Sequence, residues 1–313
     1  MWQPSASIDL LRQRAQLIAT IRDFFNERGY LEVDTPIMAR YGTTDVYLSN
    51  IQATFRNERY SLQTSPEYHM KRLLAAGSGP IFQLARVFRD DELGRWHNPE
   101  FTLLEWYQLA IDHHALMAEM DLFLQTVMHA PPLLKKTYQQ AFLEACDVDP
   151  LTASVAQLRQ VLVRYELDYV FAPEEHDRDQ YLFLLMSHIV EPFLAKESAP
   201  VAVYNFPVSQ AALAKINAGV AERFEIYYQG VELANGFHEL TDVVAQAKRF
   251  AQDLQLRQEK GFPAVEADEY LLQALEHGLP PCSGVALGID RLLAIALKQS
   301  SIANVISFDF ARA

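Results

Sequence analysis

The 313-residue chain is half hydrophobic by count, carries a formal charge of −13 and has a pI near 5.1. That is ample material for a buried core, and the acidic balance excludes a protein whose main business is gripping a polyanion. Two cysteines, Cys146 and Cys282, form neither a disulfide framework nor a zinc pattern, and no signal core or membrane-length apolar run occurs, so a cytoplasmic protein without a membrane segment is expected.

Ile8, Leu11, Ala15, Ile18, Ile21, Phe24 and Phe25 fall at helical spacing, with Ser7 as cap and a stop near Gly29. Residues 31–38 alternate like a strand, with Pro36 marking an edge or a break. Residues 61–77 read as a strand end followed by a helix. There Ser65 supplies an N-cap, Pro66 the first helical position and Glu67 an early acid. An apolar run over 81–88 predicts a buried strand, a turn follows around Asp90 to Gly94, and a second strand covers 101–109. Residues 88–107 also hold Arg89, Arg95 and His97, the acids Asp90, Asp91, Glu92 and Glu100, and the rings Trp96, Phe101, Trp106 and Tyr107. Composition alone suits a solvated hairpin tip. The same mixture of cations and ring faces also suits a nucleoside triphosphate.

Residues 111–200 read as mostly helical, with one-sided apolar patterns over 116–127 and 155–166 and breaks at Pro131, Pro132, Pro150 and Pro173. His113, His114, His176 and His188 lack a ligand spacing and read as surface or core histidines. Glu225, Glu232 and Glu239 recur at intervals of seven in RFEIYYQGVELANGFHEL. A two-residue turn at Tyr228-Gln229 would set Glu225 directly across from Glu232. Opposed carboxylates are unfavourable unless a cation lies between them, so the pair is either solvated or a Mg²⁺ site. Helices are predicted over 243–257 and 269–277. A strand with Gly284 and Gly288 then passes into a helix near Ile289, followed by Asp290 and Arg291.

The order of these residues resembles the class II aminoacyl-tRNA synthetases of the lysine type. FRDDELGRWHNPEF is similar to motif 2, the first helix with LEVDTPI to motif 1, and CSGVALGIDR to motif 3. SPEYHMKRL is similar to the family's A-P-E-x-x-L-K-R-L segment, and ELANGFHEL to its E-I-x-N-G-F-x-E-L segment. The resemblance covers essentially the whole chain. It implies one α+β catalytic domain over residues 1–313, an antiparallel sheet flanked by helices, with no anticodon-binding OB-fold domain. It implies that ATP is held by Arg89, Asp90, Asp91, His97, Asn98, Phe101, Glu232, Leu233, Gly288 and Arg291. Arg89 and Arg291 would be catalytic, and Glu225 and Glu232 would hold Mg²⁺. The amino acid would lie against Ser65, Pro66, Glu67, Tyr107, Asn235, Glu239 and Ala286, with Glu67 on an amino group and Glu239 on the side-chain ammonium.

Four departures from the synthetase pattern stand out. Ser65 replaces an alanine, Ala286 replaces the middle glycine of motif 3, Asp91 with Glu92 stands at the motif 2 glutamate, and Arg95 comes one residue early with Trp96 in the gap. With the anticodon domain lacking, these features resemble the stand-alone synthetase paralogues that activate (R)-β-lysine and attach it to a lysine of elongation factor P. That implies an acyl-adenylate, loss of pyrophosphate, then aminolysis by a deprotonated ε-amine. Ala286 is expected to occlude the α-amine position and Ser65 to accept a hydrogen bond from the relocated ammonium. A homodimer through the motif 1 region is expected, and tRNA is not expected as a partner. Two rivals are a truncated synthetase charging tRNA through the acceptor stem and a non-catalytic amino-acid sensor. The charge of −13 and the lack of an anticodon domain oppose the first. Retention of Arg89, Arg291, Glu225, Glu232 and Glu239 opposes the second.

Overall fold

Helix α1 (Ile8–Asn26) begins where the capping residue predicts: the Ser7 hydroxyl accepts the Leu10 amide at 3.3 Å. It ends ahead of Gly29, whose φ of +74° suits a residue without Cβ. This computed structural model describes residues 2–90, 93–172 and 174–313; Asp91, Glu92 and Pro173, all named above, lie outside the described residues. The chain divides into two compact units, Met1–His129 with His238–Ala313, and Ala130–Phe237.

In the first unit the strand expected over 31–38 is split into β1 (Leu31–Glu32) and β2 (Met38–Ala39), since Pro36 has no amide to give a ladder. The hairpin β3 (Gln52–Phe55) and β4 (Glu58–Leu62) turns at Arg56 and Asn57, both at positive φ, and β2, β4 and β3 form a small sheet. Helix α2 (Glu67–Ala75) follows, then β5 (Ile81–Phe88), β6 (Glu100–Leu109) and α3 (His113–Met128). Strands β5 and β6 pair antiparallel from Ile81↔Tyr107 to Phe88↔Glu100, as the hairpin reading expects.

The second unit runs β7 (Leu134–Thr137), α4 (Tyr138–Cys146), α5 (Val155–Arg164) and α6 (Arg178–Leu185), which continues through a π-helical turn into α7 (Glu191–Leu194). It then forms β8 (Val201–Pro207), β9 (Ile216–Asn217), β10 (Val220–Tyr228) and β11 (Val231–His238). Strand β7, inside the region read as mostly helical, pairs parallel with β8, and β10 is antiparallel to β8, β9 and β11. Tyr138 stacks on Phe142 at 4.6 Å and meets Phe206 at 4.7 Å in a core completed by Leu158, Leu162, Leu182 and Leu185.

The first unit closes with α8 (Val243–Glu259), α9 (Glu269–Gly278), β12 (Cys282–Gly288) and α10 (Ile289–Ala296). Strand β12 pairs antiparallel with β6 from Cys282↔Leu109 to Gly288↔Leu103, and β1 lies parallel to β5 at the other side. Strand alternation divides the residues between two faces. Phe82 and Trp106 share the back face, where Phe25 of α1 stacks on Phe82 at 4.7 Å and meets Trp106 at 5.2 Å and Phe123 at 5.9 Å. Glu119 of α3 satisfies both polar tips in that layer, accepting from Tyr30 Oη at 2.7 Å and Trp106 Nε1 at 2.8 Å. The front face carries Phe101, Leu103, Glu105 and Tyr107, with Gly284, Ala286 and Gly288 on β12 beside them. Helices flanking a largely antiparallel sheet bear out the α+β expectation. No helix among the described residues is long and apolar enough to cross a membrane.

Asp290 joins three elements at the start of α10. Its carboxylate accepts from Arg14 of α1 at 2.6 Å and from the Thr102 amide of β6 at 2.9 Å, and Arg14 also donates to Val305 O at 3.0 Å. Both ion-pair side chains are nearly dry. Asp290→Ala leaves Arg14 without its carboxylate, and breaking a buried pair from one side costs about 3–5 kcal/mol. Urea unfolding should show that loss; a change below about 1 kcal/mol would mean the pair is solvated in practice.

Candidate active site

The front face turns polar at its Tyr107 end. Glu105 and Tyr107, two apart on β6, point the same way, and the Tyr107 hydroxyl donates to Glu105 Oε1 at 2.7 Å. The Ser65 hydroxyl, just before α2, donates to Glu105 Oε2 at 2.6 Å and accepts the Glu67 amide at 3.1 Å. The Ser65 hydroxyl thus serves the first amide of α2, but α2 begins at Glu67 and its N-cap is Pro66, so Ser65 is not the cap and Pro66 not the first helical residue that the sequence predicts. From that first turn Glu67 reaches Lys71, whose Nζ lies 2.6 Å from Glu67 Oε1 and 2.6 Å from Glu239 Oε2. Glu239 Oε1 is buried and accepts no hydrogen bond among the described residues. A Cβ on Gly284 would come within 2.2 Å of the Tyr107 ring and 2.8 Å of Glu239 Oε1, so only glycine lets β12 pass this close.

Glu105, Glu239 and Lys71 are each at most 2% exposed. Burial pushes Glu105 up to about 8, with the Glu67 charge adding to the rise and the bonds from Ser65 and Tyr107 opposing it. Burial likewise pushes Glu239 up to about 8, against the pull of Lys71. For Lys71, burial alone would lower the ammonium; Glu239 and Glu67 outweigh it and hold the group protonated well above its ordinary range. Burial also raises Tyr107, with Glu105 adding, so its hydroxyl stays a donor.

Farther along the front face the Arg89 guanidinium stands over the Phe101 ring at 5.1 Å. Arg291 of α10, the third residue after Gly288, donates from Nε to Trp96 O at 3.1 Å and bonds His97 Nε2 at 2.7 Å. The motif 2 loop is thereby tied to α10. It is tied again by Arg95 Nε to Ser300 O at 2.5 Å, and by Asn98, which donates to Glu100 O at 2.6 Å and accepts the Phe310 amide at 3.0 Å. The Asp90 amide donates to Ser49 O at 3.0 Å. Asn98 thus braces the loop against the C-terminal segment.

In the second unit the hairpin of β10 and β11 overturns one expectation. The turn is Gln229-Gly230, at φ +52° and +76°, one residue later than predicted, and Tyr228 pairs with Val231. Two left-handed residues match the twist of paired strands, and Gly230 marks the second of them. The register is Tyr227↔Glu232 and, past a bulge, Ile226↔Ala234 and Glu225↔Asn235. Glu225 therefore faces Asn235, not Glu232. Its carboxylate is buried and accepts from Arg223 and from the Tyr227 hydroxyl. Arg223 also donates to Asn235 Oδ1 at 3.1 Å and Gln210 O at 2.8 Å. Burial raises Tyr227, with Glu225 and then Glu232 adding, so both acids act on the same tyrosine. Leu233 is the extra residue of the bulge and is buried. Among the described residues each Glu225 oxygen accepts from one donor, so carboxylate lone pairs remain for a hard ion and the donor set fits Mg²⁺ in kind.

Two residues escaped the sequence reading. Lys71 stands four after Glu67 on a helix, and Glu105 two before Tyr107 on a strand, so spacing alone sets each beside a residue already singled out.

The chain matches the profile of the tRNA synthetases class II (D, K and N) over residues 3–312. It is 53% identical over 321 residues to a protein of Edwardsiella ictaluri (strain 93-146) named elongation factor P–(R)-β-lysine ligase, covering 100% of this chain and 98% of that one. It is 52% identical over 316 residues to a protein of the same name from Pasteurella multocida (strain Pm70), covering 98% and 97%.

The raised carboxylates have a consequence for stability. A group that ionises higher in the folded than in the unfolded chain makes the folded state bind more protons between the two values. The stabilisation from Glu105 is thus full below about 4.5 and lost as pH rises through about 8. Without bound ligand, the melting temperature should fall over that window, and Glu105→Gln should make the fall shallower. Equal slopes in the two proteins would remove Glu105 from the titrating set.

Proposed function

Because the chain belongs to the class II tRNA synthetases of the D, K and N group, we propose that it is an ATP-dependent ligase joining (R)-β-lysine to the ε-amino group of a lysine on elongation factor P. The observation that supports this best is the buried Glu239 Oε1, which accepts no hydrogen bond among the described residues, in a wall that also holds Glu67 and Glu105. An amino acid with two ammonium groups supplies further charge-assisted donors to a wall whose three carboxylates have one ammonium among them. Ser65 and Ala286, the two departures nearest the amino acid, meet at one residue. Ser65 donates to Glu105, and Ala286 is the register partner of Glu105. Both changes therefore act on the carboxylate best placed to meet an amino group moved by one carbon.

In this reading adenine lies against Phe101, Arg89 serves the α-phosphate, and Arg291 with His97 serves the γ end. Glu232 and Glu225 are the residues that would hold Mg²⁺. The amino-acid carboxylate attacks the α-phosphorus and displaces pyrophosphate; the deprotonated ε-amine then attacks the carbonyl carbon and releases AMP. Positioning and charge neutralisation by side chains carry both steps. A cytoplasmic homodimer through the motif 1 segment completes the proposal, supported by the exposure of Leu31, Ile37 and Met38.

The test is ATP–pyrophosphate exchange dependent on (R)-β-lysine, with mass spectrometry of elongation factor P for one added β-lysyl group. Arg291→Ala should lower exchange by about 10²–10³-fold, the usual effect of removing one donor to developing charge. Exchange near the wild-type rate would displace Arg291 from the phosphate end.

A second experiment addresses substrate choice. Ser65→Ala with Ala286→Gly restores the synthetase residues and should shift relative exchange towards α-lysine by about ten- to a hundredfold, the effect of one misplaced polar contact. An unaltered ratio would place discrimination outside the surroundings of Glu105.

A further inference from the structure

Lys71 has no part in the chemistry above, yet it occupies the centre of the amino-acid wall. It is 2% exposed, and its Nζ lies 2.6 Å from Glu67 Oε1 and 2.6 Å from Glu239 Oε2. Those are the two carboxylates assigned to opposite ends of a diamino acid. Glu105 is not bound to Lys71 in the same way; Ser65 and Tyr107 hold it. The wall therefore contains three carboxylates and one fixed ammonium, and when all are ionised two negative charges are left in excess. Two is the number of ammonium groups on lysine or β-lysine.

We propose that Lys71 is a specificity-determining positioning residue, a permanent internal cation that locks Glu67 to Glu239 and trims the wall's charge to match a substrate with two ammonium groups. Without it the three acids would repel one another in a dry site, and one would keep a proton rather than face an ammonium. With it, Glu67 and Glu239 share one counter-ion, whose pull opposes the rise that burial imposes on Glu239. The lock also fixes the separation of the two acceptors, since both hang on the same Nζ. Burial raises Glu239 while Lys71 opposes the rise, which is the balance this role requires.

This inference rests on the reading that the pocket takes a diamino acid, and the experiment separates the two. Wild-type protein showing no exchange with either lysine or (R)-β-lysine would sink that reading. If the wild type is active, Lys71→Met removes the charge and keeps the bulk. The KM for the diamino acid at pH 7 should rise at least tenfold with kcat within about threefold, the pattern of lost uniform binding. The rise should shrink as pH is taken from 6.5 to 8.5, because the remaining acids ionise later without their cation. A merely structural lysine would instead lower the active fraction, leaving KM and its pH profile unchanged, and that outcome overturns the proposal. If Lys71→Met does not fold, acylation of the wild type by an amine-reactive ester decides the matter. Peptide mapping should find Lys71 unlabelled with and without lysine present; labelling that appears on adding lysine would mean the substrate displaces Lys71, contrary to a permanent cation.

Discussion

Carboxylates in a dry wall impose the strongest constraint on the first unit. Moving one ion out of water costs several kcal/mol even after relaxation, so Glu105 and Glu239 are tolerated only with dedicated partners. Glu239 has the ammonium of Lys71; Glu105 has two hydroxyl donors, Ser65 and Tyr107, each within 2.7 Å. Glu67 shares that ammonium and also sits in the first turn of α2, where the helix dipole favours negative charge. Lys71 compensates two of the acids and the hydroxyl pair the third, which is how all three can stand in one wall.

Such a wall must also be rigid, and the rigidity comes from the opposite face of the same strand. Trp106 lies between Glu105 and Tyr107 in sequence and points away from both, into the aromatic layer around Phe25. A shift of β6 that relaxed the acids would pull Trp106 off Phe25 and break its bond to Glu119. On the other side of β6, Gly284 admits no Cβ, so β12 holds Tyr107 and Glu239 from behind at van der Waals range. Packing on one face and charge on the other are a single mechanical unit.

What the sequence made legible follows from how local each signal is. Ser7 caps its helix three residues on, as its place in the sequence predicts, and the apolar runs of β5 and β12 carry their own boundaries. The hairpin turn was misplaced because its first residue is Gln229, which gives no sign of a left-handed conformation, and the bulge at Leu233 leaves no mark in composition. Strand β7 is only four residues and lacks alternation, so the helical reading of its surroundings swallowed it. Motif order located Glu67 and Glu239. The cation between them was hidden, because Lys71 shows only its neighbour on the helix while Glu239 reaches it from the far end of the chain. Glu105 was hidden for the same reason, forty residues from Ser65.

The observed hairpin register changes how Glu225 and Glu232, the acids proposed for Mg²⁺, are understood. Had Glu225 faced Glu232 directly, a cation between them would have been the natural way to hold the pair together. In the observed register Glu225 has Asn235 opposite, and Arg223 with Tyr227 hold its carboxylate in place with no need of a cation between the strands. A ligand already fixed by two donors loses little conformational freedom on binding an ion, and its orientation is set by the protein rather than by the metal. Asp290 and Arg291 show the same division of labour in one helical turn. Successive residues of a helix point about 100° apart, so Asp290 faces inward to Arg14 and Thr102 while Arg291 faces the loop at Trp96 and His97. The inward residue fixes the pitch and position of α10. The outward one inherits that placement, so the arginine's aim is decided by a carboxylate that need not touch the substrate.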